Sequence, residues 1–545
     1  MSAAPSGRAG PPPEGLAPYD DPSVVLDAAA DPGAAALGAS GAEATVDLPW
    51  PVLLRRRVQR RAERSPRYQW WVLFALLAGL LALNITFTVF VVALPTVAGQ
   101  LHTNISVLTW SSTGPLLAFG LAAPVFGKAG DLFGHRRLYL LGLAGAMVSA
   151  VVTATAPNAA VLLFGRALDG VQGAATGTAS MALILRMFSK EDRVKALGWW
   201  SLVGAGGPVI GMAVGSPVIQ FLGWRALFWG QLVLLVLSTV VVVLILPAHG
   251  RHSLEETPAE EEPQPTGWKG FDWVGSWSLS GAVVALMLGL SIAPHTGWSS
   301  GAVVVPLVLS VASAAVFVHR LRTAAHPLIP PHYFRRRNFV LPMGVRTCSN
   351  FAYFGAFFLF PLLMEEVYGY RVTQVGIISI ARPLLFAVSA PVAGYLTVRV
   401  GERVSALAGS SAVVLSMALF AVLSPGSPLV VIVLALCLAG AGMGVALPPT
   451  SSSMANEVTA SEYGVMSAAQ LLATQVGEVA GIQVLQTIQL SSAHRRVAGG
   501  AAHGAALLGS FRTAFVVGGL VGAVGVVCAA GIRDTVRTGR TQPSG

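Results

Sequence analysis

A chain of 545 residues that is 54% hydrophobic and only 11% charged is too apolar for an ordinary soluble domain, in which about 25% of residues are charged. The mean hydropathy of +0.66 makes the bilayer its solvent. The net charge of +10 could suit nucleic acid, but the basic residues gather at the ends of apolar runs, so no nucleic-acid partner is expected.

In chain order, residues 1 to about 54 are rich in Pro, Gly, Ala and Ser and cannot bury enough apolar surface to order themselves. The basic run LLRRRVQRRAERSPR closes this tail, taken as 1–69, and reads as a positive-inside signal or a docking patch for anionic headgroups. The first apolar run starts near Trp70, too long and too late for a cleaved signal peptide. Apolar windows then follow at 70–95, 107–127, 138–156, 160–184, 196–220, 225–247, 273–293, 301–319, 339–364, 375–398, 404–424, 428–454, 464–490 and 511–531. Each can cross about 30 Å of hydrocarbon as a helix, which predicts an all-α polytopic protein of about 14 spans. Most Lys and Arg fall on one set of alternate loops, which predicts that both termini are cytoplasmic. Cys348, Cys437 and Cys528 lie in separate apolar runs and imply neither a disulfide nor a metal site, and no cofactor is expected.

The stretch GKAGDLFGHRR at 127–137 is a charged turn between two spans, and GYLTVRVGER at 394–403 repeats its glycine spacing, Gly394 and Gly401 against Gly127 and Gly134. The repeat predicts two six-span bundles, 70–247 and 339–531, with an inserted pair at 273–319. They are joined by a linker at 248–272 carrying LEETPAEEEPQP and by a loop at 320–338, and a tail follows at 532–545.

GKAGDLFGHRR resembles the loop signature of the major facilitator superfamily at Gly127, Asp131, Gly134, Arg136 and Arg137. Further segments resemble its fourteen-span drug:proton antiporter family. These are GRALDGVQG with Arg166 and Gly170, GGPVIG with Gly207, Pro208 and Gly211, and the landmarks GWRALFWGQ, FDWVGS and HPLIPPHYFRRRNF. The resemblance implies a major facilitator fold in a bacterial-type inner (plasma) membrane. It further implies proton-driven, alternating-access efflux of small amphipathic compounds. Three departures stand out: Met212 replaces a usual glycine, Thr86 and Val91 replace the span-1 acid and Asn, and Val398 replaces the acid of the second loop motif.

Of the 25 acids, Asp169 and Glu478 fall well inside spans, where a charge costs about 2.5–3.5 kcal/mol on insertion scales. Helical spacing places Arg166, Asp169, Gln172, Thr176 and Ser180 on one stripe, expected to face the bundle interior. Asp169 then either exchanges protons beside Arg166 or forms a static pair with it. Ser467, Gln470, Thr474 and Glu478 form a second stripe, which either lines the central cavity, with Glu478 binding a cationic group or a coupling proton, or, if span 13 is peripheral, leaves Glu478 to pair locally. Arg346 and Arg382 either snorkel to an interface or, with Asn350, line a cavity suited to an anionic or zwitterionic substrate. Asp131 with Arg136 and Arg137 is expected to gate the cytoplasmic end, and Gly207 with Pro208 to interrupt span 5. Thr86 completes the expected substrate cavity.

The partners expected are a small molecule, protons and the bilayer, with the chain a monomer. No nucleotide-binding loop or nucleophile–base constellation points to an enzyme. A lipid or hydrophobic-metabolite exporter and a non-transporting sensor or scaffold are the competing readings.

Overall fold

The computed structural model describes residue 65 and residues 67–103, 105–108, 110–246 and 271–534. Most of the 1–69 tail with its basic run, nearly all of the acidic linker and residues 535–545 lie outside the described residues, as do the side chains of Val91 and Pro208.

In hydrocarbon the backbone must satisfy its own polar groups, and the apolar runs accordingly fold as helices. In the first part these are α1 Tyr68–Gln100, the short α2 Ile105–Leu108, α3 Trp110–Phe133, α4 His135–Ala154, α5 Ala159–Met187, α6 Lys190–Leu222 and α7 Trp224–Ile245. A pair follows, α8 Trp273–Thr296 and α9 Gly301–Thr323. After a 3-10 turn at Pro331–Arg335 come α10 Arg337–Glu366, α11 Val372–Ser379, α12 Ala381–Val400, α13 Glu402–Val422, α14 Leu429–Ala455, α15 Tyr463–Ala498 and α16 His503–Ala530.

Among the described residues, 11 helices are long and apolar enough to cross a membrane. The expected spans at 160–184, 196–220 and 464–490 fall on α5, α6 and α15, of 29, 33 and 36 residues; α5 and α15 carry more polar side chains than the eleven, and several side chains of α6 lie outside the described residues. The window expected at 375–398 is divided at Ile380 into α11 and α12. Pro383, which has no N–H to offer the preceding turn, falls in the first turn of α12, where that loss costs least.

Single glycines close three of the tight turns. Gly134, Gly223 and Gly401 adopt φ of +96°, +82° and +100° with extended ψ, a region almost exclusive to glycine. In the first part α1 packs on α6 and α7, and α5 on α3 and α4; in the second, α10 packs on α14, α15 and α16, and α14 on α12 and α13. The two parts meet along two seams, α3 and α5 against α15, and α6 against α12 and α14. Span 13 is therefore not peripheral, because α15 is packed between the halves. The pair α8–α9 lies outside, with α8 laid over both α3 and α15.

Candidate functional site

At the end of the bundle formed by the α3–α4 turn, Asp131 bridges the two halves. Its Oδ1 accepts from the Gly464 N–H at 2.9 Å and its Oδ2 from the Val465 N–H at 3.0 Å. A fully buried carboxylate thus satisfies two of the orphan donors at the start of α15 and meets the positive end of its dipole. His135 Nε2 stands 3.1 Å, and Arg186 Nη2 4.0 Å, from Oδ1. Gly127 makes this approach possible. A Cβ built there would come within 2.7 Å of the Gly464 carbonyl oxygen, and one on Gly464 within 2.2 Å of the Gly127 carbonyl oxygen.

Further contacts join the halves at the same end. Arg186 donates to the Ala460 carbonyl at 2.9 Å. Arg193 donates to Asn456 Oδ1 at 3.1 Å and to the Tyr463 hydroxyl at 3.0 Å. Within the second part, Glu462, just before α15, accepts from the Tyr333 hydroxyl; burial and then this carboxylate push the Tyr333 phenol up to about 12. Arg137 is exposed on α4, and Arg186 of α5 brings a guanidinium to Asp131 that the loop motif does not contain. Sequence reasoning missed Gly464, Arg186 and Arg193, because nothing in a linear motif says which distant helix start a carboxylate will cap.

On α5, Arg166 Nη1 pairs with Asp169 Oδ2 at 2.5 Å, and Gln172 Nε2 donates to Asp169 Oδ1 at 2.9 Å. Arg166 also donates from Nε to the Ser111 carbonyl at 3.2 Å. The stripe carrying this pair faces α4 inside the first half rather than the space between the halves. Cβ atoms built on Gly165, Gly145 and Gly142 would meet Thr153, Gln172 and Thr176 at 2.5, 3.1 and 2.5 Å. Asp169 lies between these contacts on the same face. Thr176 and Ser180 are fully buried and bond the backbone of their own helix.

The second half holds a different set. Arg346 on α10 donates from Nε to Thr474 Oγ1 at 3.2 Å and from Nη1 to Ser451 Oγ at 2.8 Å, while Asn350 donates to the Arg346 carbonyl at 2.7 Å. Gln470 Nε2 reaches the Ser451 carbonyl at 3.4 Å. Arg382, in the first turn of α12, donates to the Tyr353 carbonyl at 3.0 Å and lies 4.2 and 4.1 Å from the ring centres of Tyr353 and Phe357. The two arginines are 2% and 3% exposed, which overturns the reading that they snorkel to an interface.

Glu478 is one turn beyond Thr474 and two turns beyond Leu471, whose side chain meets Gly177 of α5. It therefore faces the first half, is partly accessible, and makes no hydrogen bond or ion pair with any described residue. Local pairing of Glu478 is not what the structure contains. Tyr353 lies within electrostatic reach of both Arg382 and Glu478.

Two expected site features fall elsewhere. Thr86 is 2% exposed and donates to the Leu83 carbonyl of its own helix at 3.3 Å, so it presents nothing to a cavity. The helix α6 continues from Lys190 to Leu222 without interruption at Gly207. Gly207 serves close packing instead, since a Cβ there would lie 2.5 Å from Asn84 Cβ on α1; Gly211 is buried.

Comparison with known proteins places this arrangement in a family. The sequence profile of the Major Facilitator Superfamily matches residues 74–482. The chain is 28% identical over 423 residues to the tetracenomycin C resistance and export protein of Streptomyces glaucescens, covering 77% of this chain and 76% of that one. It is 27% identical over 400 residues to the multidrug resistance protein Stp of Mycobacterium tuberculosis, covering 73% and 71%. The crystal structure of the human organic anion transporter MFSD10 superposes with a TM-score of 0.59 at 17% identity, covering 86% of this chain and all of that one, a likeness of fold. The chain is thus a multi-pass membrane protein belonging to the Major Facilitator Superfamily of transporters.

Proposed function

We infer that this protein is a proton-driven exporter of small amphipathic compounds in the bacterial plasma membrane, a member of the fourteen-span drug:proton antiporter family working by alternating access. In this reading α5, α6 and α15 complete fourteen crossings with the eleven apolar ones, and the α3–α4 end and both termini are cytoplasmic. The clasp of Asp131 on α15 holds that end shut in the outward-facing state and must release for inward opening. The named relatives are called resistance and export proteins, which supports export as the direction.

The observation that carries the coupling is Glu478. Of the two acids within spans, Asp169 has both oxygens engaged by Arg166 and Gln172, as a static pair would. Glu478 has neither a donor nor a cation and faces the space between the halves, so it is free to take a proton from one side and yield it to the other. The test is dye efflux from sealed vesicles under an imposed pH difference. Glu478→Gln should lose at least about ten-fold of the gradient-driven rate, which is about 1.4 kcal/mol in the barrier. Asp169→Asn, in vesicles matched for folded protein, should retain gradient dependence. Gradient-driven efflux undiminished in Glu478→Gln would remove Glu478 from the mechanism.

A further inference from the structure

Every arginine buried in hydrocarbon needs compensation, and this chain compensates its buried arginines in two different ways. Arg166 is neutralised on the spot by Asp169, one turn along the same helix. Arg346 and Arg382 are as deeply buried, yet their partners are all neutral: two hydroxyls, one carbonyl and two aromatic faces. Among the described residues no carboxylate lies within 4.0 Å of either. The hydrogen bonds of Arg346 use Nε and Nη1 and leave Nη2 for another acceptor. Beside it the Oε1 of Gln470 is buried without a partner. Arg382 is presented where the span breaks at Ile380, held by ring faces that fix its plane while leaving its charge unmet.

Glu478 is the mirror case, an acid without a cation, one turn from the Thr474 that holds Arg346. The four-residue step between them rises about 6 Å along the axis, the scale of a small polar molecule. Tyr353 stands between two of these charges, its ring covering Arg382 and its side chain lying within electrostatic reach of Glu478.

Linkage then limits the cargo. A purely anionic compound on the arginines would make Glu478 easier to protonate, so proton and cargo would bind together and travel the same way. A compound whose basic group occupies Glu478 displaces the proton, and this competition is what antiport requires. We propose that the transported compounds are zwitterionic amphiphiles, with the acidic group held by Arg346 and Arg382 and the basic group by Glu478. This assignment rests on the exporter reading above and specifies its substrate class.

The experiment uses the full-length protein in proteoliposomes and one fluorescent amphiphile in three forms: carrying both a carboxylate and a tertiary amine, as its methyl ester, and as the carboxylate with the amine acylated. Gradient-driven transport should be at least ten-fold more efficient for the zwitterion than for the ester. Arg346→Gln and Arg382→Gln should each bring KM for the zwitterion to that of the ester measured in the same variant, and Arg346→Lys should recover part of the preference. Binding is followed separately as the rise in Tm of the purified protein with each form. An ester carried as well as the zwitterion, or a preference that survives both Arg→Gln changes, overturns the assignment and leaves the exporter reading intact. If no form is carried but the zwitterion still raises Tm in an Arg346-dependent way, the exporter reading fails and the site stands. Neither transport nor a Tm response to the zwitterion refutes both.

Discussion

Two kinds of buried arginine make opposite demands on the fold. Arg166 and Asp169 are each the other's compensation, so removing one leaves a bare charge in the first half. Breaking such a buried pair from one side costs about 3–5 kcal/mol, whereas replacing both partners by apolar groups of similar volume is close to neutral. Arg166→Met should therefore lower Tm sharply in detergent, and Arg166→Met with Asp169→Leu should restore most of the loss. Arg346→Met leaves no carboxylate behind and should cost far less than Arg166→Met. Equal losses for the two single changes would mean that Arg346 is as structural as Arg166. The contrast was half legible in the sequence. Spacing alone put Arg166 and Asp169 on one helical face, but Thr474 and Ser451 come from two other helices, 128 and 105 residues beyond Arg346, and no local pattern connects them.

The same division between local and distant information runs through the elements. Spans were legible wherever apolarity was unbroken, and were harder to bound where the chain needed polar faces inside the bundle, as on α5 and α15. The inserted pair shows what a helix end can add. Asp272 caps α8 by accepting from the Gly275 N–H at 2.9 Å, and the same oxygen accepts from Arg320 Nη2 at 3.0 Å near the end of α9, so one carboxylate ties both ends of the hairpin. Its side chain is 3% exposed, so the pair is better shielded than a surface bridge. Asp272→Ala removes cap and bridge together and should cost about 1–2 kcal/mol. Because α8 lies across the seam of α3 and α15, with Ser280 donating to the Leu121 carbonyl at 2.7 Å, a loosened hairpin should also expose that seam. Limited proteolysis at the 324–331 connection is the readout; unchanged Tm and cleavage would show that the clamp contributes nothing.

At the scale of the whole molecule the repeat between the halves is partial, and its asymmetry has a mechanical meaning. Gly394 brings α12 against the start of α6, a Cβ there falling 2.8 Å from the Val194 carbonyl oxygen, just as Gly127 brings α3 against the start of α15. Both turns close on a glycine of the same sign of φ. Only the first half, however, has an acid to cap the facing helix, because Val398 stands where Asp131 would be. The start of α6 instead uses its own Ser189, whose hydroxyl accepts from the Asp192 N–H at 3.5 Å. The α6–α12 seam is left with softer contacts, Lys195 Nζ 5.8 Å from the Tyr395 ring centre and Trp199 Nε1 3.5 Å from its hydroxyl. Alternating access requires both seams to part at this end, so a tether across the softer one should stop transport although it touches neither the acid nor the arginines. In a variant whose three native cysteines are replaced, Lys195→Cys with Tyr395→Cys, joined by a short bifunctional thiol reagent, should lose essentially all efflux. Each single cysteine should retain it, and a cleavable reagent should return the activity on reduction. Transport that continues through the intact tether would mean that this end does not open, and that the Asp131 clasp is a fixed brace rather than a gate.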